Sequence, residues 1–296
     1  MTAVDTSPIE QVRHEGWVEI VLNRPERRNA LSFDLVSAVA EAATAADNDP
    51  DIHAIAISGS GQDFCAGYDL RGGGAGNGYA SHRADQAGYH RDLTRTETSS
   101  RLIRSLWAIH KPIVAKVHGN CLAGGTDLAF ICDMVIAADD AVIGFPPTRD
   151  LGSPPVPMWL YHVGPQWAKR LLLTGDSISG ADAATIGLVL KAVPGDRLDA
   201  EVAGLMGRMA HIDYELLSTH KRMINLGLQL MGTTTLLDMG PEFDVRAHLS
   251  PSPIRLKASA PQNVVDVLKE RRREVFGRGL ARVDRPDEYD ERGRLV

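Results

Sequence analysis

The sequence predicts an α/β fold, with a front half of alternating strands and helices and a helical C-terminal region. Three observations carry this. Short apolar runs alternate with amphipathic stretches over residues 1–200. Two of those runs, Ala54–Ile57 and Pro112–Val117, lead into glycine-bearing segments, Phe64–Leu70 and His118–Leu128. From Val163 onward the pattern turns helical, interrupted as a strand only at Val189–Val193.

Taken in order, Trp17–Leu22 reads as a strand ending in the turn Asn23–Glu26. Ser32 is placed to cap a helix through about Ala46, with Asp34 in its first turn. Asp51–Ser58 is a buried strand. The glycine run at 71–78 and the polar segment to about Ser99, with His82 and His90, read as a mobile loop of the lid or binding kind. Arg101–Ile109 is an amphipathic helix that Lys111-Pro112 breaks. Cys132–Ala138 and Ala141–Phe145 are short strands. Pro146–Pro157, crowded with proline and glycine, is irregular and expected to surround a pocket. Helices follow at Trp167–Leu173, Gly180–Ile186, Asp199–Met209, Tyr214–Leu226 and Thr233–His248. The chain divides into a core at 1–200, a helical region at 201–280 and a charged, extended tail at 281–296.

Composition bounds the function. At 296 residues, 44% hydrophobic and 24% charged, the chain is long and apolar enough to bury a sizeable core. A net charge of −6 argues against a nucleic-acid partner, while local arginine clusters leave anionic small molecules open. Cys65, Cys121 and Cys132 lie in apolar stretches without metal-ligand spacing, so they read as free thiols in a reducing compartment. No basic region followed by an apolar one opens the chain, and no apolar run reaches the roughly 18 residues of a membrane span. Cytoplasmic is the expected location.

A strand that ends in glycine turns sharply and can aim backbone N–H groups into a cleft. Two such donors aimed at one point make an oxyanion hole. The two segments, together with Asn23-Arg24-Pro25 through Arg28–Leu31 and Lys111–Gly119, resemble the crotonase family, also called the enoyl-CoA hydratase/isomerase superfamily. A weaker match runs from Arg170–Asp176 through Gly187–Val189. The resemblance implies a ββα spiral core, a helical trimerisation region giving a homotrimer or dimer of trimers, and an acyl-CoA thioester substrate. Coenzyme A then enters as part of the substrate, with no separate cofactor and no metal. The family's oxyanion donors fall on the N–H groups of Tyr68 and Gly124. Gly124 opens a helix, where free N–H groups and the dipole favour a developing anion. The family's coenzyme A stretch falls on Arg27, Arg28, Ala30, Ala66, Asp69, Leu70 and Arg71. The arginines would meet phosphates and the alanines would offer backbone groups. A solvated basic turn is the alternative for each arginine.

Two positions depart from the family. Its hydratases use two glutamates, one as base and one as acid. The first falls on Asp127, a residue that family isomerases carry at this slot. The second falls on Pro147, which has no carboxylate. Asp127 is a candidate for the proton transfer, with mere stabilisation of the helix dipole as the alternative. Asp150, in the pocket loop, is the nearest replacement acid, with an ion pair to Arg149 or a neighbour as the alternative. The Tyr68 phenol is placed to narrow the acyl pocket or donate a hydrogen bond; His118 reads as structural. The leading reading is a hydratase or isomerase acting through a thioester enolate. An acyl-CoA thioester or C–C bond hydrolase, or an inactive coenzyme A-binding protein, stands beside it.

Overall fold

The computed structural model describes residues 7–70, 84–259, 264–277 and 279–296. Six strands form one sheet: β1 (Ile9–His14), β2 (Trp17–Leu22), β3 (Ala54–Gly59), β4 (Ile113–Val117), β6 (Met134–Ala138) and β9 (Lys191–Val193), in the order β1-β2-β3-β4-β6-β9. Only the β1–β2 hairpin is antiparallel. A second sheet, β5-β7-β8, is built from β5 (Asn120–Leu122), β7 (Val142–Gly144) and β8 (Ser177–Ser179).

Parallel strands need crossover connections, and helices supply them. Before β3 comes α1 (Phe33–Asn48), whose cap is the expected one: Ser32 Oγ accepts the Leu35 N–H at 3.2 Å. Then α2 (Ala84–Ala108) precedes β4, α3 (Gly124–Phe130) follows β5, and α4 (Trp159–Thr174) follows β7. Thus β4-β5-α3 and β6-β7-α4 repeat one ββα unit. Each unit sends its first strand to the large sheet and its second to the small one. Covered on both faces, β3 reads as continuous apolar sequence; Ala54, Ile55, Ala56 and Ile57 are fully buried. The remaining helices are α5 (Gly180–Thr185), α6 (Leu198–Ala210), α7 (Tyr214–Leu230), α8 (Thr233–His248), α9 (Pro251–Ser259) and α10 (Val264–Phe276). Among the described residues, no helix is long and apolar enough to cross a membrane.

Several elements depart from the expectation, each for a physical reason. β1 is exposed beyond Ile9 and so carries no apolar alternation. β5 and β8, at three residues each, are too short to show a period. The polar segment before Ser99 is helical from Ala84 on, bent at Gly88 (φ 67°). Its buried face is polar, with Asp92, Thr96, Ser99 and Ser100 all inside, so no hydrophobic stripe marks it. α4 begins at Trp159, ahead of the expected start, because Gly164 (φ 68°) and Pro165 interrupt its pattern. The charged tail folds back onto the core: Ala281 pairs with Ile178, Leu295 is buried against Gly277, and Asp287 takes Arg170 at 2.7 Å. The expected glycine run at 71–78, with Arg71, and His82 lie outside the described residues.

Candidate active site

The Gly67–Asp69 segment is held on one side by Leu31. The Leu31 N–H donates to the Gly67 carbonyl at 2.8 Å, and the Asp69 N–H donates to the Leu31 carbonyl at 3.0 Å. In such a parallel bridge the residue between the bonded groups sends its own N–H to the opposite side. For Tyr68 that side faces Ala123 and Gly124. Gly67 has φ 107°, and a Cβ on it would stand 2.8 Å from the Ala123 Cβ and 3.5 Å from the Gly124 nitrogen. Gly124 is the first residue of α3, whose opening N–H groups have no intrahelical acceptor. Gly67 and the start of α3 therefore lie side by side.

The preceding residue is strained to make this possible. Ala123 has φ 52° and ψ −120°, a region that costs a non-glycine residue about 1–3 kcal/mol. Its N–H donates to the Gly144 carbonyl at 2.9 Å, and its carbonyl accepts the Thr126 hydroxyl at 2.6 Å, so the turn is pinned at both ends. Gly125 admits no side chain, since a Cβ there would lie 2.5 Å from the Cys65 carbonyl oxygen.

One turn into α3 stands Asp127, 1% exposed. The Tyr68 hydroxyl donates to its Oδ2 at 2.6 Å, while Oδ1 is buried and meets no partner at hydrogen-bond distance among the described residues. Burial pushes this carboxyl well above the usual carboxylate range; the Tyr68 bond opposes the shift, the Asp244 charge adds to it, and the Val156 N–H opposes it. The Tyr68 ring lies against Gly124, where a Cβ would be 2.9 Å from Cε1 and Cζ. Tyr68 thus touches both Gly124 and Asp127. Burial pushes the neighbouring Cys65 thiol up to about 12, so it stays protonated and is no nucleophile.

The segment expected to meet coenzyme A is braced internally by two residues to which the sequence reading assigned no role. Arg24 donates to Asp69 Oδ2 at 2.9 Å and to the Ala30 carbonyl at 2.5 Å. Asn29, fully buried with φ 53°, donates to the Ser60 and Asp63 carbonyls at 2.8 Å and accepts the Arg24 N–H. Asn at a left-handed position was the available signal. Asp69 is therefore held by Arg24. Ala30 donates to the Arg27 carbonyl and Ala66 to the Arg28 carbonyl, so both N–H groups are used inside the loop. Arg27 and Arg28 are exposed, with Arg28 3.7 Å from Asp63, and Leu70 is half-buried.

Asp150 is 2% exposed, and both its oxygens are taken by Arg272 of α10, at 2.5 and 3.1 Å. The ion-pair alternative holds for it, with Arg272 and not Arg149 as partner. Arg149 instead binds Asp176 at 2.5 Å and packs over the Phe276 ring at 4.3 Å. Sequence reading missed Arg272 because it lies 122 positions away. His118 Nε2 meets the Gly61 carbonyl at 3.0 Å, a structural contact, and His90 is exposed.

A family sequence model described as enoyl-CoA hydratase/isomerase matches residues 13–239. The chain is 32% identical over 228 residues to the crotonyl-CoA hydratase of Syntrophomonas wolfei, covering 73% of this chain and 81% of that one. It is 32% identical over 178 residues to the peroxisomal Δ(3,5)-Δ(2,4)-dienoyl-CoA isomerase of Arabidopsis thaliana, covering 58% and 63%. Among solved structures, an enoyl-CoA hydratase from Mycobacterium smegmatis superposes with a TM-score of 0.85 at 35% identity, covering 92% of this chain and 96% of the other.

Proposed function

Because this chain belongs to the enoyl-CoA hydratase/isomerase family, we propose that it shifts a double bond in an enoyl-CoA thioester through an enolate. The carrying observation is Asp127: a buried carboxyl hydrogen-bonded by Tyr68, one helical turn beyond the Gly124 N–H. With the thioester oxygen between the Tyr68 and Gly124 N–H groups, loss of an α- or γ-proton places charge on that oxygen. Each such donor is worth roughly 10²–10³ in rate. Asp127 accepts the proton. Pro147 leaves the second glutamate place without a carboxylate, which favours a proton shift over two-carboxylate hydration. The hydratase among the similar proteins supports hydration as the second reading.

The test is solvent exchange. In deuterium oxide the protein should exchange an α-proton of a bound acyl-CoA and convert a 3-enoyl-CoA to its 2-enoyl isomer, and Asp127→Asn should do neither. Addition of water to a 2-enoyl-CoA would identify a hydratase; release of free thiol, a hydrolase; binding with neither exchange nor turnover, a coenzyme A-binding protein.

The same reading takes coenzyme A as part of the substrate and adds no separate cofactor. It places the chain in a homotrimer or dimer of trimers, supported by an apolar face with Leu216, Met223, Ile224 and Leu230 exposed on α7. Light scattering that found a monomer at micromolar concentration would overturn that assembly. Three buried free thiols support a reducing compartment such as the cytoplasm.

A further inference from the structure

We propose that the Tyr68 phenol is the second proton carrier of this site, delivering a proton to one carbon of the substrate after Asp127 has taken one from another. The inference rests on the enolate reading above and assigns the step that the missing carboxylate at Pro147 leaves open.

Three observations lead to it. Asp127 is 1% exposed and its Oδ2 is reached through the Tyr68 hydroxyl at 2.6 Å, whereas Tyr68 itself is half-buried. The phenol therefore covers that oxygen and is the more accessible member of the pair. The Tyr68 ring lies along the first turn of α3, against Gly124, while its hydroxyl ends at Asp127. Three residues of helix rise about 4.5 Å, enough to span the three carbons of a C=C–C unit whose carbonyl is anchored at Gly124. Finally, Asp150, the replacement acid that the sequence offers, has both oxygens engaged by Arg272.

The proton count closes. In the first step Asp127 takes a proton from the α-carbon of a 3-enoyl-CoA; the C–H bond breaks, an O–H bond forms, and the electron pair moves to the thioester oxygen. In the second step the enolate collapses, and the γ-carbon takes the Tyr68 hydroxyl proton. The phenolate then recovers the proton held by Asp127 across their hydrogen bond. One C–H bond is lost and one gained, the double bond has moved, and both side chains return to their starting states. For a substrate entering from the other isomer the same steps run backwards: the Tyr68 proton passes to Asp127, the phenolate takes the γ-proton, and Asp127 returns one to the α-carbon.

Tyr68→Phe tests this, because it keeps the backbone N–H of the oxyanion hole and removes only the hydroxyl. Removing that donor raises the pH at which Asp127 ionises, so rates are compared on the alkaline plateau. The expected result is a fall in isomerisation of about 100-fold or more, with exchange at the carbon that loses its proton kept within tenfold of the wild type. If isomerisation and exchange fall together, Tyr68 only positions the base and the proposal is overturned. If neither falls, it is overturned as well. Wild-type protein that exchanges no proton would instead sink the enolate reading itself, so the two failures are distinguishable. Should Tyr68→Phe fail to fold, a fluorinated tyrosine incorporated at position 68 serves. Its more acidic phenol should move the alkaline limb of isomerisation to lower pH, and an unmoved limb would overturn the proposal.

Discussion

Asp127 and Asp150 are almost equally buried, at 1% and 2% exposure, yet their surroundings set them opposite tasks. Asp127 is met by neutral donors, the Tyr68 hydroxyl and, more weakly, the Val156 N–H. Asp150 has a guanidinium on both oxygens. Burial alone raises the cost of charge in both places; a facing guanidinium offsets that cost at Asp150, whereas the donors that meet Asp127 are neutral. The partner, not the depth, decides which carboxyl can exchange a proton.

The sharpest way to break this contrast is to neutralise each acid in turn. Asp127→Asn should lower turnover by about 10³-fold or more while raising the melting temperature. A carboxyl whose folded pKa is raised binds its proton more tightly when folded. Its contribution is thus complete below the unfolded pKa and is lost as pH rises through the folded one. At neutral pH an amide avoids that loss, so a lowered melting temperature in this variant would refute the assignment.

Gly125→Ala forces a methyl toward the Cys65 carbonyl and displaces the start of α3. Loss of one oxyanion donor predicts roughly 10²–10³ in kcat, read by steady-state kinetics on the folded variant. Asp150→Asn should act on stability instead. It leaves Arg272 without its anion at a site 22% exposed, for a loss of about 2–3 kcal/mol in denaturant unfolding. A collapse of proton exchange as deep as that of Asp127→Asn would return Asp150 to the chemistry. A gentler measurement is the pH profile of kcat/KM, whose acid limb should lie above the usual carboxylate range because burial raises Asp127. An acid limb near pH 4 would mean a solvated carboxylate is acting. The smallest effect is Ser32→Ala at the cap of α1, about 1 kcal/mol in unfolding with kcat unchanged.

Much of this was legible beforehand. The Ser32 cap, the buried strand β3 and the helix Gly180–Thr185 all follow from local pattern. The family resemblance singled out Tyr68, Gly124 and Asp127, each within a short motif, but the contact between Tyr68 and Asp127 joins two of those motifs and was read from neither. What it missed were elements whose inner face is polar, such as the start of α2, or whose length is three residues, such as β5 and β8.

By itself, then, the sequence determined the α/β architecture and the glycine turns at the ends of its strands, because strand, helix and turn signals are carried by residues a few positions apart. Only the tertiary structure decided the fate of the acids. Tyr68 reaches Asp127 across 59 positions and Arg272 reaches Asp150 across 122, and a carboxyl's ionisation answers to whatever charge lies within a few ångströms in space, wherever it stands in the chain.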